Sequence, residues 1–325
     1  WEGQGRGLVA IDEGVPGGLQ GSAEEINTDL ARRQVGHGRG SRMKIESDSA
    51  VIVSGVRHGR GLGSPLALRI KNSDWVNWQD SMSAEAPENA ESVVPLTVPR
   101  PGHADLAGMQ KYGLDDVRSV LERASARETA SRVAVGAIAR RIISEFGMTV
   151  VSHVTGIGAV EVEPQGTLFS EDFQQVDESP VRCLDAKAAK VMVAEIDNAR
   201  KQGESLGGVF EVLVFGLVPG LGSYVSGPER LGGRIGGALM SIPAIKGAEI
   251  GGGFALASKP GSAVHDEIWF DDSSGYHRRT HHAGGLEGGM TNSETLVARA
   301  CMNPHPTLTN PLSALDVPHG SVSLT

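Results

Sequence analysis

The chain has 325 residues, 39% of them hydrophobic, with a formal net charge of −9, 44 glycines and only 4% aromatic residues. It is apolar enough to bury a real core, too acidic overall for a general nucleic-acid binder, and free of the strict glycine period of collagen. No apolar run reaches the about 18 residues of a membrane span, and Cys183 and Cys301 cannot build a disulfide framework, so a reducing cytoplasm is expected. Read in chain order, residues 48–54 and 66–70 suit short strands, with Val51, Ile52 and Val53 bounded by Gly55. Residues 73–102, rich in Ser, Glu, Pro and Asn, read as a loop. The spacing then predicts a long helix over 115–146, with Asp115 and Asp116 at its start, Arg140 and Arg141 near its end and Gly147 as the cap. Strands are expected over 148–154, 158–163 and 207–217, and helices over 185–202 and 229–240. The later chain reads as glycine-rich loops at 247–254 and 283–292, followed by a Pro-punctuated tail from Asn303. With no repeat and no linker, residues 1–325 are expected to form one large α+β domain.

The net acidity hides a basic stretch. Residues 32–60 carry Arg32, Arg33, Arg39, Arg42, Arg57 and Arg60, with Lys44, His37 and His58, against Glu46 and Asp48. A guanidinium fork suits phosphate or carboxylate, and Gly36-His37-Gly38-Arg39-Gly40 gives it a loop able to close on an anion. In Arg100-Pro101-Gly102-His103-Ala104-Asp105, a histidine follows a Pro-Gly turn with a carboxylate two residues on. An ordinary loop histidine and a proton carrier both fit that spacing. No HExxH or CxxC occurs, so no metal site is expected, and neither the P-loop nor the dinucleotide fingerprint is present. Gly203-Glu204-Ser205-Leu206-Gly207 matches G-x-S-x-G but lies between a predicted helix and a strand, the reverse of a nucleophile elbow. The knot from Gly284 to Asn292 offers free N–H groups for a phosphate or a flat ring, or is a surface loop. Residue chemistry alone reaches an α+β protein that binds a small anionic ligand.

Several of these segments, in this order, resemble chorismate synthase. They are Gly38-Arg39-Gly40-Ser41-Arg42-Met43, Ser54-Gly55-Val56-Arg57-His58-Gly59, Arg100 to Asp105, Lys111-Tyr112-Gly113, Glu122 to Thr129, Ala244 to Gly251, His265-Asp266-Glu267 and Gly284 to Asn292. The resemblance implies a β-α-β sandwich fold, a cytoplasmic homotetramer, and reduced FMN as cofactor. The implied reaction is 1,4-trans elimination of phosphate from 5-enolpyruvylshikimate 3-phosphate, and family members differ in whether NADPH reduces the flavin. It implies further that Arg33 and Arg39 meet NADPH, and that Arg39, Arg42 and Arg127 hold the substrate anions. Arg123, Ala124, Ser125, Pro243, Ala244, Gly288, Asn303, Pro304 and Thr307 are the implied FMN contacts, and His103 the histidine that protonates the reduced flavin.

The sequence departs from the family pattern at sensitive positions. Gln4 stands where the resemblance implies a second catalytic histidine, and glutamine cannot transfer a proton at neutral pH. Asn303 stands in place of a lysine. The chain opens at Trp1 and stops at Thr325, ahead of an Arg-x-Asp motif expected of full-length members, so a fragment is the favoured expectation. The two functional expectations are a working lyase and a homologue that only binds flavin or a phosphorylated ligand.

Overall fold

The computed structural model describes residues 5–40, 47–85, 93–162, 168–317 and 320–324. Its contacts gather the chain into two compact units, each discontinuous in sequence. The first comprises Trp1–Ile142, Arg200–Ser205 and His305–Thr325; the second comprises Ile143–Ala199 and Leu206–Pro304. Because the chain passes from one to the other several times, no single linker marks the boundary. Both units mix helices with antiparallel strands, which is the α+β class expected from the sequence. Among the described residues no helix is long and apolar enough to cross a membrane.

The first unit is built on a three-stranded antiparallel sheet of β1 (Gly7–Asp12), β2 (Ala50–Ser54) and β3 (Leu66–Lys71), with β3 in the middle. Period-two alternation sends Leu66, Leu68 and Ile70 to the buried face. Helix α1 (Ala23–Gln34) brings Ile26 and Leu30 against them, one turn apart. Its start is specified locally: the Ser22 hydroxyl accepts from the Glu25 N–H at 3.3 Å, acids occupy the first turn, and Arg32 and Arg33 the last. The same core takes Ala130, Ala134, Ala137 and Ile138 from α4 (Glu128–Ser144). That helical spacing of small residues lets backbone approach closely, and each fully buried Leu or Ile contributes about 1.5–3 kcal/mol.

The second unit carries a five-stranded antiparallel sheet in the order β5 (Val160–Glu161), β4 (Thr149–Ile157), β6 (Gly208–Phe215), β12 (Leu296–Met302), β7 (Ile245–Ile250). Its apolar contacts run through Phe173, Val176 and Leu213, and through Met192 of helix α5 (Ala186–Lys201). Across four neighbouring strands His153, Glu211, Arg299 and Glu249 sit directly opposite one another. Side chains are paired along the row: His153 to Glu211 at 3.3 Å, and Arg299 to Glu249 at 2.8 Å. Helix α6 (Leu231–Met240), a hairpin of β8 (Ile268–Asp271) and β9 (Gly275–Arg278), and the short pair β10 (Leu286–Glu287) and β11 (Met290–Thr291) complete it.

Four expectations need correction. The helix expected over 115–146 is two, α3 (Arg118–Ala124) and α4, because Ser125 between them is extended. The strand expected over 158–163 is only two residues long. The stretch 247–254 begins inside β7, since Gly247, Ala248, Glu249 and Ile250 pair with β12 before the turn at Gly251. Residues 73–102 hold a short helical turn, Gln79–Met82, and are followed by an unexpected helix, α2 (Asp105–Tyr112). The G-x-S-x-G match is a turn after α5, as expected, with the Ser205 hydroxyl donating to the His305 carbonyl at 2.7 Å.

Candidate functional site

In the first unit the most organised polar cluster surrounds His103. The Pro101-Gly102 turn, with Gly102 at φ 76°, brings the loop back so that Asp105, first residue of α2, faces its own beginning. One oxygen of Asp105 accepts the Arg100 backbone N–H at 3.0 Å and Arg100 Nε at 2.9 Å. The other meets His103 Nδ1 in a short contact and Arg100 Nη2 at 3.3 Å. Arg100 Nη2 also lies 3.1 and 3.2 Å from the two ring nitrogens, so the cation rests against the imidazole. Burial raises the Asp105 pKa, but the hydrogen bonds from His103 and Arg100 outweigh it and hold the carboxyl at about 2.

That depression has a testable consequence. A carboxyl held below its ordinary 3.8 stabilises the fold fully above about pH 5, and the contribution disappears as pH falls toward 2. The stability gap between the wild type and Asp105→Asn should therefore narrow by about 2 kcal/mol from pH 5 to pH 2. Urea denaturation of both proteins across that range reads it.

The 305–307 segment adjoins this loop within the same unit. A side chain at Gly102 would come within 3.8 Å of Pro306, and the Thr307 N–H donates to His305 Nδ1 at 3.1 Å. Desolvation lowers the His305 pKa, and the charges of Arg100 and His103 push the same way. Thr307 and His103 are thus brought into one neighbourhood.

The turn joining α3 to α4 carries Arg123, Ala124, Ser125 and Arg127 in very different settings. The Arg123 side chain is 80% exposed, with Glu128 at 3.7 Å. Ser125 is buried, and its hydroxyl accepts the Arg127 backbone N–H at 3.2 Å. Arg127 points inward: its guanidinium meets Asp48 at 2.8 Å and the Lys71 carbonyl at 3.0 Å, and its side chain is 1% exposed. Arg33 reaches the same Asp48 at 3.0 Å and the Thr129 hydroxyl at 3.1 Å. Arg33 and Arg127 are therefore brought together by one buried carboxylate, whereas Arg39 is exposed. Gly5, next in sequence to Gln4, donates to Glu122 at 2.6 Å, beside Arg123 in sequence. Gln4 and Arg42 lie outside the described residues.

In the second unit two expected cofactor segments meet: the Asn303 N–H donates to the Ala244 carbonyl at 2.9 Å. Ala244, which follows Pro243, holds φ 68°, a conformation that costs a residue with a side chain roughly 1–2 kcal/mol. Pro304 continues from Asn303 against Gly207, where a side chain would lie 3.2 Å from the proline ring.

The glycine knot of this unit is shaped from outside. Asp266 accepts the His282 and Ala283 N–H groups at 2.8 Å each and the Thr280 hydroxyl at 2.6 Å. Arg278 grips Glu287 through two bonds of 2.9 and 2.6 Å, and Asn292 adds a third at 3.0 Å. The Arg278 hydrogen bond is the main cause holding Glu287 below its ordinary pKa. At the tip, Gly288 holds φ 60° and an added side chain there would meet nothing within 4 Å. Sequence reading missed this scaffold, although Asp266 and Glu287 lie inside the motifs it picked out.

Ser293, just past the knot, is exposed and holds φ 72°. Ser293→Gly relieves roughly 1–2 kcal/mol of strain and returns about 0.5–1 kcal/mol in chain entropy. A net gain near 1 kcal/mol is expected, visible as a higher midpoint in calorimetry.

An anionic cofactor with a flat ring asks for exposed cations, free backbone N–H groups and a surface without side chains. Within its own unit Arg123 supplies an exposed cation, and within the other the open Gly288 tip supplies a surface without a side chain, and each is compatible with such a group. Among the described residues no three His, Cys, Asp or Glu side chains gather as metal ligands would.

The family model described as chorismate synthase matches residues 2–324. The chain is 52% identical over 316 residues to the chorismate synthase of Carboxydothermus hydrogenoformans, covering 97% of this chain and 82% of that protein. It is 52% identical over 320 residues to chorismate synthase 2 of Bacillus cereus, with the same coverage. A solved structure described as a crystal structure of chorismate synthase superposes with a TM-score of 0.78 at 42% identity, over 94% of this chain and 82% of the other.

Proposed function

The chain belongs to the chorismate synthase family, and from that membership we propose that it is a lyase converting 5-enolpyruvylshikimate 3-phosphate to chorismate with reduced FMN. The match along almost the whole chain carries this reading, and the ordered His103 cluster supports it. Reduced FMN held there would supply transient electron density for breaking the allylic C–O bond, with no net redox change. Arg123, Ala124, Ser125 and Thr307 of the first unit, and Pro243, Ala244, Gly288, Asn303 and Pro304 of the second, are the proposed FMN contacts. His103 would exchange a proton through Nε2, since Nδ1 is occupied by Asp105. Arg39 and Arg42 would hold the substrate anions, and preorganised guanidinium groups there would stabilise charge on the departing phosphate. Arg127 would join them only on leaving Asp48; in its present geometry it neutralises a buried carboxylate. Arg33 and Arg39 remain the proposed NADPH contacts, and a cytoplasmic homotetramer the proposed working form.

The test is an anaerobic assay with chemically reduced FMN and the phosphorylated substrate. Chorismate and phosphate released together at many turnovers per chain support the lyase. Binding of FMN without product supports the second reading, a ligand-binding homologue, which Gln4 in place of a histidine favours. Loss of a general acid commonly costs about 10²–10⁴ in rate. Gln4→His is accordingly expected to raise kcat by at least about 10-fold in the same assay, toward that range. An unchanged kcat would put the slow step elsewhere. Replacing chemical reduction by NADPH reads whether the chain reduces its own flavin.

A further inference from the structure

The Asp105 carboxylate does more than close a loop. Loop closure is served by one of its oxygens, which takes the Arg100 N–H and Nε at 3.0 and 2.9 Å. The second oxygen is aimed at His103 Nδ1. The carboxylate is 1% exposed, at the first residue of α2, and receives four donors, so its direction is fixed. Arg100 Nη2, in contact with both ring nitrogens and with the same Asp105 oxygen, also restrains the imidazole. An ionised carboxylate is an acceptor only, so the nitrogen facing it must carry hydrogen. Turning the ring over would set a carbon against that oxygen and forfeit the bond.

We propose that Asp105 is a positioning residue for His103, fixing the imidazole as the Nδ1–H tautomer and leaving Nε2 as the nitrogen that exchanges a proton in the reaction. The depressed pKa of Asp105 agrees, since it keeps the carboxylate ionised throughout the neutral range. The catalytic part of this inference rests on the lyase reading above; the tautomer does not.

Asp105→Asn separates positioning from loop closure. Its amide oxygen can still accept from Arg100, while its NH₂ faces Nδ1 and demands an acceptor there, which moves the ring hydrogen to Nε2. The tautomer is read by ¹⁵N NMR of the full chain labelled at histidine, with the His103 signals identified by their loss in His103→Gln. The wild type is expected to show Nδ1–H and D105N Nε2–H. In the anaerobic assay kcat of D105N should fall about 10²–10⁴-fold, as when a proton-transferring histidine is held in the wrong tautomer, with KM little moved. A neutral wild-type ring with hydrogen on Nε2 alone overturns the proposal, as does a D105N protein that keeps its tautomer and kcat and loses only thermal stability. Should D105N not fold, the wild-type tautomer decides alone. A wild type that makes no chorismate defeats the lyase reading, and the NMR result still decides the positioning role.

Discussion

Asp48→Ala is expected to destabilise the protein by about 3–5 kcal/mol, the cost of stripping a buried charge of its partner. Asp48 receives Arg33 at 3.0 Å and Arg127 at 2.8 Å, and its own side chain and that of Arg127 are each 1% exposed. Alanine leaves two guanidinium groups crowded together, one of them out of reach of water. Removing Arg127 instead should cost less, because Asp48 keeps Arg33. The double variant Asp48→Ala/Arg127→Met should recover part of the loss, since a buried arginine without its carboxylate is worse than neither group. Urea titrations of the three variants read this ordering. A single-variant loss under about 1 kcal/mol would mean that the pair is worth no more than a surface salt bridge.

The same ion pair explains the largest misreading of the sequence. Nothing in Ala124-Ser125-Ala126-Arg127 is a helix breaker, so local pattern reads straight through it. The break is imposed by Asp48, far away in sequence, which draws Arg127 inward while the Ser125 hydroxyl takes the Arg127 N–H. Helix α5 was legible to within a residue at each end because its signals are local: Asp185 accepts the Lys187 and Ala188 N–H groups, and Gly203 lies just beyond the helix end. Helix α1 carries an equally local signal, Ser22 and Glu25 spaced as a cap. Strand β12 was hidden for a different reason. Arg299 interrupts its apolar run, and only the neighbouring strands, with Glu211 and Glu249 opposite, make an arginine acceptable there.

For the site, the loop from Arg100 to Asp105 could be singled out from spacing, and its alternatives could not be separated. What the sequence lacks is direction: that the carboxylate faces Nδ1, and that Arg100 closes over the ring, depends on a turn with φ 76° at Gly102. The family resemblance supplied the chemistry, and the fold supplied the partners. Arg39, Arg123 and Arg127 look alike as letters, and burial alone separates the exposed Arg39 and Arg123 from the buried Arg127.

Gly284→Ala is expected to cost roughly 2–5 kcal/mol and to abolish FMN binding, while Gly288→Ala stays folded. Gly284 holds φ 59° and Gly251 φ 58°, and the two backbones touch. A side chain at Gly284 would collide with Gly251 Cα and N and lie 3.2 Å from the Val297 carbonyl; one at Gly251 would come within 2.6 Å of Gly284 N. Backbone strain accounts for about 1–2 kcal/mol of the cost and overpacking for about 1–3. The collision lies where β12 begins: Val297 N–H donates to Gly284 at 3.1 Å, Gly251 N–H to Val297 at 2.9 Å, and Arg299 to the Gly251 carbonyl at 3.2 Å. At Gly288 only the strain applies, because the added methyl meets open space. Its effect on stability should therefore stay near 1–2 kcal/mol. A much larger effect is expected on ligand, where the methyl would stand between the backbone and whatever approaches the tip. Fluorescence titration with FMN, set beside thermal midpoints, distinguishes the two positions. Equal FMN affinity in Gly288→Ala and the wild type would remove Gly288 from the proposed flavin contacts.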